Sequence, residues 1–181
     1  MDKVNCPYLT AIKRTAMSAP TRYLLQHGLL KGRILDFGCG HGFDTDELKR
    51  QGYDIEGYDS CYRPDYPKGK FDTIICVYVL NVLEPYAQAE VMWEISDLLA
   101  PGGTVYYAVR RDLKDEGFRW HAIHKQYTYQ CNVILPFFVK KIQQFSEIVC
   151  FCDKDMLQKY LKYGKLILYN IKRRKFLWQT G

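Results

Sequence analysis

The residues whose types and spacing could do chemistry are concentrated between two acids, Asp36 and Asp59. Asp36 is followed by glycines at alternate positions, Gly38, Gly40 and Gly42. Glycine has no Cβ, so a turn built from it folds tightly and lets the backbone approach a ligand. Asp59 follows about 20 residues later, the spacing at which a carboxylate can accept hydrogen bonds from ribose hydroxyls. The pattern predicts a site for a nucleoside-containing cofactor.

Alternating strands and helices must position these residues. Apolar runs bounded by turn residues predict strands over 33–37, 53–59, 71–80 and 104–109. Helices are predicted over 10–17, from Ala19 to the turn at Gly28, over 44–51, and from Pro85 to the Pro101-Gly102-Gly103 stop. This alternation predicts an α/β fold, a Rossmann-like, doubly wound and mostly parallel sheet.

The alternation is less regular beyond residue 110. Strands are predicted over 127–134, 147–152 and 166–171, and a helix over 153–161. The length of 181 residues fits one domain, 1–181, because no linker or repeat divides the chain. Within it, 33–110 form the cofactor-binding half and 111–181 the substrate-side half.

The glycine turn, Asp59, the strand that begins at Phe71 and the segment Leu98–Gly103 together resemble class I S-adenosylmethionine-dependent methyltransferases over roughly residues 33–110. The resemblance implies a reduced class I methyltransferase fold with S-adenosyl-L-methionine as cofactor. It implies that the cofactor is bound by Asp36, Gly38, Cys39, Gly40, Gly42, Asp59, Ser60, Val77 and Tyr78, with Cys61 beside the adenine. It also places Val77, Tyr78 and Asn81 near the transferred methyl group.

A nicotinamide or flavin dinucleotide is the rival cofactor. Its fingerprint requires glycine or alanine where this chain has Phe43. Its pyrophosphate would lie at the start of the following helix, where Asp44, Asp46 and Glu47 would repel it. A sulfonium cofactor with an ammonium group and no phosphate suits an acidic site better.

The connection between the second and third predicted strands is shorter than the resemblance leads us to expect. The family usually inserts a further helix and strand there, whereas this chain has only residues 60–70. The inserted strand is therefore expected to be missing or reduced to an extended stretch. Asp65 could take the adenine-facing role, or the loop could be a connection alone.

The methyl acceptor is less well determined by the sequence. The Asn/Asp-Pro-Pro-Tyr motif of amino-directed nucleic-acid methyltransferases is absent, because Asn81-Val82-Leu83-Glu84 stands in its place. The catalytic candidates are Asn81, Tyr78, His121 and His124, and Glu84, Tyr127 and Tyr129 are further candidates for acceptor contact. The two histidines could supply a general base or belong to a polar loop.

Basic clusters and aromatic residues favour a nucleic-acid acceptor. The net charge is +6, with 15 tyrosines, and such residues can bind phosphates and stack on bases. The clusters comprise Lys13, Arg14, Arg22, Arg110, Arg111, Lys172, Arg173, Arg174 and Lys175. Residues 11–30 also resemble small bacterial methyltransferase-like proteins, some of them associated with DNA phosphorothioation. A small-molecule or protein acceptor, or a non-catalytic cofactor-binding role, remains open.

The seven cysteines are scattered and form no C-x-x-C pair. Since no signal pattern or membrane-length apolar run is present, they are expected to be reduced thiols in a cytoplasmic protein. His121-x-x-His124 with Cys131 is only half of a zinc pattern, so no metal is expected.

Overall fold

The computed structural model describes residues 3–133, 135, 140–144 and 147–153, the last two ranges as backbone only. Its helices are α1 (Ala19–Gln26), α2 (Phe43–Arg50) and α3 (Pro85–Leu98). Its strands are β1 (Ile34–Phe37), β2 (Ile55–Tyr58), β3 (Phe71–Val77), β4 (Leu99–Arg110), β5 (Gly117–His121), β6 (Gln126–Gln130), β7 (Lys140–Gln144) and β8 (Glu147–Asp153). No helix among these residues is long and apolar enough to cross a membrane.

Six strands form one sheet in the order β2-β1-β3-β4-β8-β7. The pairs from β2 to β4 are parallel and the pairs from β4 to β7 are antiparallel. The predicted α/β class with a parallel central sheet is therefore confirmed. Within the described part of the chain β2 is an edge strand, as the short connection over 60–70 led us to expect.

Helices cover both faces of the parallel strands because neighbouring residues of a strand point to opposite sides. Ile34 and Ile75 pack with Leu24 of α1 and Leu48 of α2 on one face. The opposite face carries Leu35, Phe37, Ile74, Met92, Ile95 and Leu98, the last three from α3. Each such fully buried aliphatic side chain contributes about 1.5–3 kcal/mol of hydrophobic stabilisation. The sheet is thus a rigid platform for the loops at its carboxyl edge.

The prediction of a helix over 10–17 is wrong. A short 3₁₀ turn, Pro7–Thr10, is the only helical element before α1 in the described residues. The backbone just before this turn pairs with strand β6. Asn5 forms a β-bridge with Tyr127, and the Cys6 N–H donates to the Tyr127 carbonyl at 3.0 Å. We call residues 3–17 the N-terminal strap, because they run as an irregular segment across the molecule.

The substrate-side half differs in detail from the prediction. The strand predicted over 127–134 ends at Gln130, because the Cys131 N–H leaves the hairpin and donates to the Asn81 carbonyl at 2.9 Å. It pairs with β5, which was not predicted, in a separate two-stranded hairpin. The strand predicted over 147–152 is present as β8. The helix predicted over 153–161 and the strand predicted over 166–171 lie outside the described residues.

Candidate functional site

A cavity of about 690 Å³ lies at the carboxyl edge of the parallel strands. This is where open α/β sheets bind their ligands, and the volume is typical of small-molecule sites. Its floor is the glycine turn with Asp36 and Asp59, and the end of β3 forms a side. Residues of the N-terminal strap, among them Pro7, Tyr8 and Arg14, line it as well.

The glycine turn is bound to the end of β2 through its backbone. The Gly38 and Cys39 N–H groups both donate to the Tyr58 carbonyl, at 2.7 and 3.0 Å. Gly38 has φ +79°, and a Cβ there would lie 2.2 Å from Val79 Cγ2, so only glycine fits. Burial and the nearby Asp36 raise the pKa of the Cys39 thiol to about 12, which excludes a thiolate nucleophile at neutral pH.

Asp59 organises the loop that follows β2. Its Oδ1 accepts the Cys61 and Tyr62 N–H groups at 3.0 Å each, and its Oδ2 accepts the Gly40 N–H at 3.1 Å. A carboxylate oxygen has two acceptor positions, so Oδ2 keeps one for a ligand. Ser60 also lines the cavity, whereas Cys61 and Asp65 are exposed and do not.

Asp36 is a buried carboxyl group, only 4% exposed, at the end of β1. Its pKa is raised to about 7, chiefly by burial and then by Asp44, although a 2.9 Å hydrogen bond from the Thr45 hydroxyl opposes the rise. Asp44 is also buried and accepts the Ser18 N–H at 2.9 Å. Two acids with little solvent around them make this end of the cavity receptive to a cation.

Arg63 is a neighbour of the glycine turn that the sequence did not reveal, although it does not line the cavity itself. Its guanidinium pairs with both carboxylate oxygens of Asp46, at 2.9 and 2.5 Å, and donates to the His41 carbonyl at 3.3 Å. A Cβ at Gly42 would lie 2.0 Å from Arg63 Cζ, so the side chain crosses directly over the turn. Since Asp46 is paired in this way, the acidity of the site rests on Asp36 and Asp44.

The end of β3 carries a strained backbone. Tyr78, which lines the cavity with Val77, has φ +62°, and its N–H donates to the Ala108 carbonyl at 2.8 Å. A bulky side chain seldom adopts a positive φ, and such strain is concentrated at functional sites. The geometry therefore holds Tyr78 in the cavity wall, and its predicted role in cofactor binding or catalysis stays a prediction.

The Asn81 side chain forms hydrogen bonds to the backbone of two other segments. It is buried, and its Nδ2 donates to the carbonyls of Arg110 and Cys131, at 3.0 and 2.7 Å. Its Oδ1 accepts the Arg110 N–H at 2.7 Å. Both amide hydrogens are thus used to join the ends of β3, β4 and β6, and Asn81 also lines the cavity, as a catalytic candidate must.

His121 and His124 lie at the turn of the β5–β6 hairpin, with ring centroids 4.8 Å apart. His124 is exposed, and neither residue lines the cavity. Glu84, Tyr127 and Tyr129 are outside the lining too. No cluster of three His, Cys, Asp or Glu side chains suited to a metal occurs in the described part of the chain.

The N-terminal strap is fixed at both ends of the cavity. Asn5 Nδ2 donates to the Val82 carbonyl at 2.8 Å, and Asn5 Oδ1 accepts the Tyr129 N–H at 2.9 Å. At the other end, the Tyr62 hydroxyl donates to the Tyr8 carbonyl at 3.1 Å. These contacts join the hairpin, the strap and the loop after Asp59 into a roof over the cavity.

The predicted basic clusters are spread over the molecule. Arg14 lines the cavity half-buried and forms no ion pair with another described residue, whereas Arg110 lines it while paired with Asp112. Lys13, Arg22 and Arg111 are exposed. The basic run over 172–175 lies outside the described residues.

A family described as a methyltransferase domain matches residues 9–146 of the sequence. The chain belongs to this family. The methyltransferase domain is 33% identical over 113 residues to the ubiquinone biosynthesis O-methyltransferase of Nitrosococcus oceani. That match covers 48% of this chain and 47% of the relative, so the chain spans about half the length of the curated relative that it matches.

Solved structures share the fold of this methyltransferase domain. The 1,6-didemethyltoxoflavin-N1-methyltransferase of Burkholderia thailandensis, solved with 1,6-didemethyltoxoflavin and S-adenosylhomocysteine, has a TM-score of 0.57 at 18% identity. That match covers 77% of this chain and 78% of the other. An S-adenosylmethionine-dependent methyltransferase of Bacteroides fragilis has a TM-score of 0.55 at 15% identity, covering 76% and 78%. The Rossmann-like methyltransferase fold is therefore confirmed.

Proposed function

We propose that this protein binds S-adenosyl-L-methionine in the cavity and transfers its methyl group to a small molecule. The observation that carries the proposal is the order of groups along one cavity: the buried acids Asp36 and Asp44, the glycine turn, and Asp59 with a free acceptor position. Membership of the methyltransferase domain family supports it.

The residues present fit this cofactor group by group. The ammonium of the methionine part suits the buried Asp36 and Asp44, and its carboxylate suits the Arg14 guanidinium, which lines the cavity and has no ion-pair partner among the described residues. The ribose hydroxyls suit Asp59 Oδ2. When bound, the cofactor supplies an electrophilic methyl carbon on a positively charged sulfur.

The contribution of the chain is alignment and exclusion of water. Tyr78 is held in the cavity wall by its backbone, and the N-terminal strap covers part of the cavity. Alignment of this kind can supply much of the rate of a direct displacement. A general base is needed only for an acceptor that carries its proton at neutral pH.

Two observations favour a small acceptor over a nucleic acid. The cavity is roofed by the strap, and its volume of about 690 Å³ suits a cofactor with a compact acceptor. Two of the relatives named above also carry small molecules in their names: one is an O-methyltransferase of ubiquinone biosynthesis and the other a 1,6-didemethyltoxoflavin-N1-methyltransferase. A nucleic-acid acceptor bound through Lys13, Arg22, Arg111 and the 172–175 run is the alternative, because exposed basic groups attract phosphates.

We also propose a cytoplasmic location. Cys6, Cys39, Cys61, Cys76 and Cys131 are free thiols. Free thiols persist in a reducing compartment. Fractionation of cells that express the tagged protein checks this proposal, and recovery of the protein in an oxidising compartment would contradict it.

The experiment that tests the proposed function is transfer of a labelled methyl group. The protein is incubated with methyl-labelled S-adenosylmethionine and a cell extract, which is then separated into small molecules, nucleic acids and proteins. We expect label in the small-molecule fraction, and weaker transfer by an Asp59→Asn variant at a subsaturating concentration of the cofactor. Label confined to nucleic acid would establish the alternative acceptor, and cofactor binding without any transfer would establish a non-catalytic role.

A further inference from the structure

Helix α3 forms a wall of the cavity to which the proposed function assigns no part of the cofactor. Val91 and Glu94 are one helical turn apart, so both lie on the same face, and both line the cavity. Tyr58 and Val79 line the same region. The Tyr58 ring packs against Phe37 on the sheet face that α3 covers.

The wall formed by α3 and the Asp36 side chain lie on opposite faces of the sheet. The Asp36 carboxyl accepts a hydrogen bond from the Thr45 hydroxyl of α2, and α2 covers the face of the sheet opposite to α3. Asp59 directly follows Tyr58 at the end of the edge strand β2. A cofactor with its ammonium at Asp36 and its ribose at Asp59 therefore directs its base toward α3.

Glu94 is an acid of this wall whose carboxylate has no hydrogen-bonding partner among the described residues. It forms no hydrogen bond or ion pair with the described residues, although it is partly buried beside the cavity. Burial raises its pKa, and Glu90 adds to the rise. After burial, the negative charge of Glu94 is the next cause of the raised pKa of Tyr58 and of Tyr66, so the three side chains are near one another. A partly desolvated carboxylate gains from a donor supplied by a ligand.

Resting on the proposed function, we infer that Glu94 recognises the adenine of the cofactor by accepting a hydrogen bond from its exocyclic amino group. The side chains of Val79, Val91 and Tyr58 supply the apolar surface that a base needs.

The proposal makes a specific statement about base selectivity. A carboxylate accepts from the amino group of adenine but repels the carbonyl oxygen that hypoxanthine carries at the same position. Glutamine at 94 can donate to that oxygen through its amide. Glu94→Gln should therefore weaken binding of the adenine compound and strengthen binding of the hypoxanthine compound.

The test is calorimetric titration of S-adenosylhomocysteine and S-inosylhomocysteine into wild type, Glu94→Gln and Glu90→Gln. Glu90 is a matched control, because it is an exposed acid one turn away on the same helix and does not line the cavity. We expect wild type and Glu90→Gln to prefer the adenine compound by about 10- to 100-fold, the value of one charge-assisted hydrogen bond, and Glu94→Gln to lose that preference.

The outcomes separate this inference from the proposed function. If wild type binds S-adenosylhomocysteine and Glu94→Gln keeps the same preference, the assignment of Glu94 is wrong and the proposed function stands. If folded wild type binds neither compound, the assignment of Glu94 and the proposed function are both wrong. Thermal unfolding of each variant confirms that it is folded, and the variants differ from wild type by one isosteric group.

Discussion

The Thr45 hydroxyl donates a 2.9 Å hydrogen bond to the Asp36 carboxyl, and both side chains are buried. This contact joins the first turn of α2 to the end of β1, directly beneath the glycine turn. It lowers the pKa of Asp36 against the larger upward effect of burial, which leaves that pKa at about 7. The charge at the floor of the cavity is therefore sensitive to pH in the neutral range.

Binding of S-adenosylhomocysteine should depend on pH through Asp36. The ligand ammonium is bound more tightly by an ionised carboxylate, so affinity should rise by about tenfold from pH 6 to pH 8 as Asp36 loses its proton. Thr45→Val removes the hydrogen bond and should move the midpoint to higher pH, whereas Thr45→Ser should not. Titration calorimetry across this range checks both expectations, and the same midpoint in Thr45→Val would contradict the assigned role of Thr45.

The same carboxyl group should reduce the stability of the ligand-free protein at alkaline pH. Its pKa is about 7 when folded against 3.8 in the reference state. Between these values the folded state holds the extra proton, so the free energy of unfolding falls as pH rises. Asp36→Asn stays neutral and should be more stable than wild type by about 1–4 kcal/mol at pH 8, with little difference at pH 4. Urea unfolding at the two pH values measures this, and a less stable variant at pH 8 would refute it.

Local sequence was sufficient to predict that Asp36, the glycine turn and Asp59 lie together at one end of the cavity. Asp36 and the glycine turn are adjacent in the chain, and Asp59 follows at the end of the next strand, so a strand–turn–helix–strand pattern brings them together. The same pattern predicted the first three strands of the sheet and the helices α1, α2 and α3. The short connection over 60–70 also predicted that β2 would be an edge strand.

The remaining features depend on contacts between distant residues. Arg63 reaches Asp46 and the turn from an irregular loop, and no spacing rule marks such a contact. Asn5 is fixed by Tyr129, 124 positions away, and the strap that follows it is irregular over 11–17, where local propensity favoured a helix. Asn81 follows a central strand, which made it a catalytic candidate, but only the packed structure shows that its amide is used by the backbone.

Asn81 should matter for stability more than for chemistry. Asn81→Ala leaves the Arg110 N–H and the carbonyls of Arg110 and Cys131 without this partner, which should cost about 2–4 kcal/mol of unfolding free energy. Glu84→Gln, an exposed change three residues later, is the control and should have no effect. Urea unfolding measures the loss. A variant of normal stability that lacks methyl transfer would instead restore the catalytic role.

The N-terminal strap should slow release of the ligand. Asn5→Ala removes two hydrogen bonds that hold the strap to Val82 and Tyr129. At about 1 kcal/mol each, their loss should speed dissociation of S-adenosylhomocysteine roughly 10- to 30-fold. Val4→Ala is a neighbouring exposed change and serves as the control. Stopped-flow displacement measures the rates, and equal rates in the two variants would show that the strap is not a roof.

Calorimetric titration of S-adenosylhomocysteine into wild type, Asp59→Asn and Asp65→Asn tests the central claim most directly. Asp65 is an exposed acid of the same loop that lies outside the cavity, so it controls for loss of charge. We predict one-to-one binding by wild type and Asp65→Asn, and binding at least about tenfold weaker by Asp59→Asn, because one charge-assisted hydrogen bond is lost. No binding by folded wild type, or equal binding by all three proteins, would contradict the account.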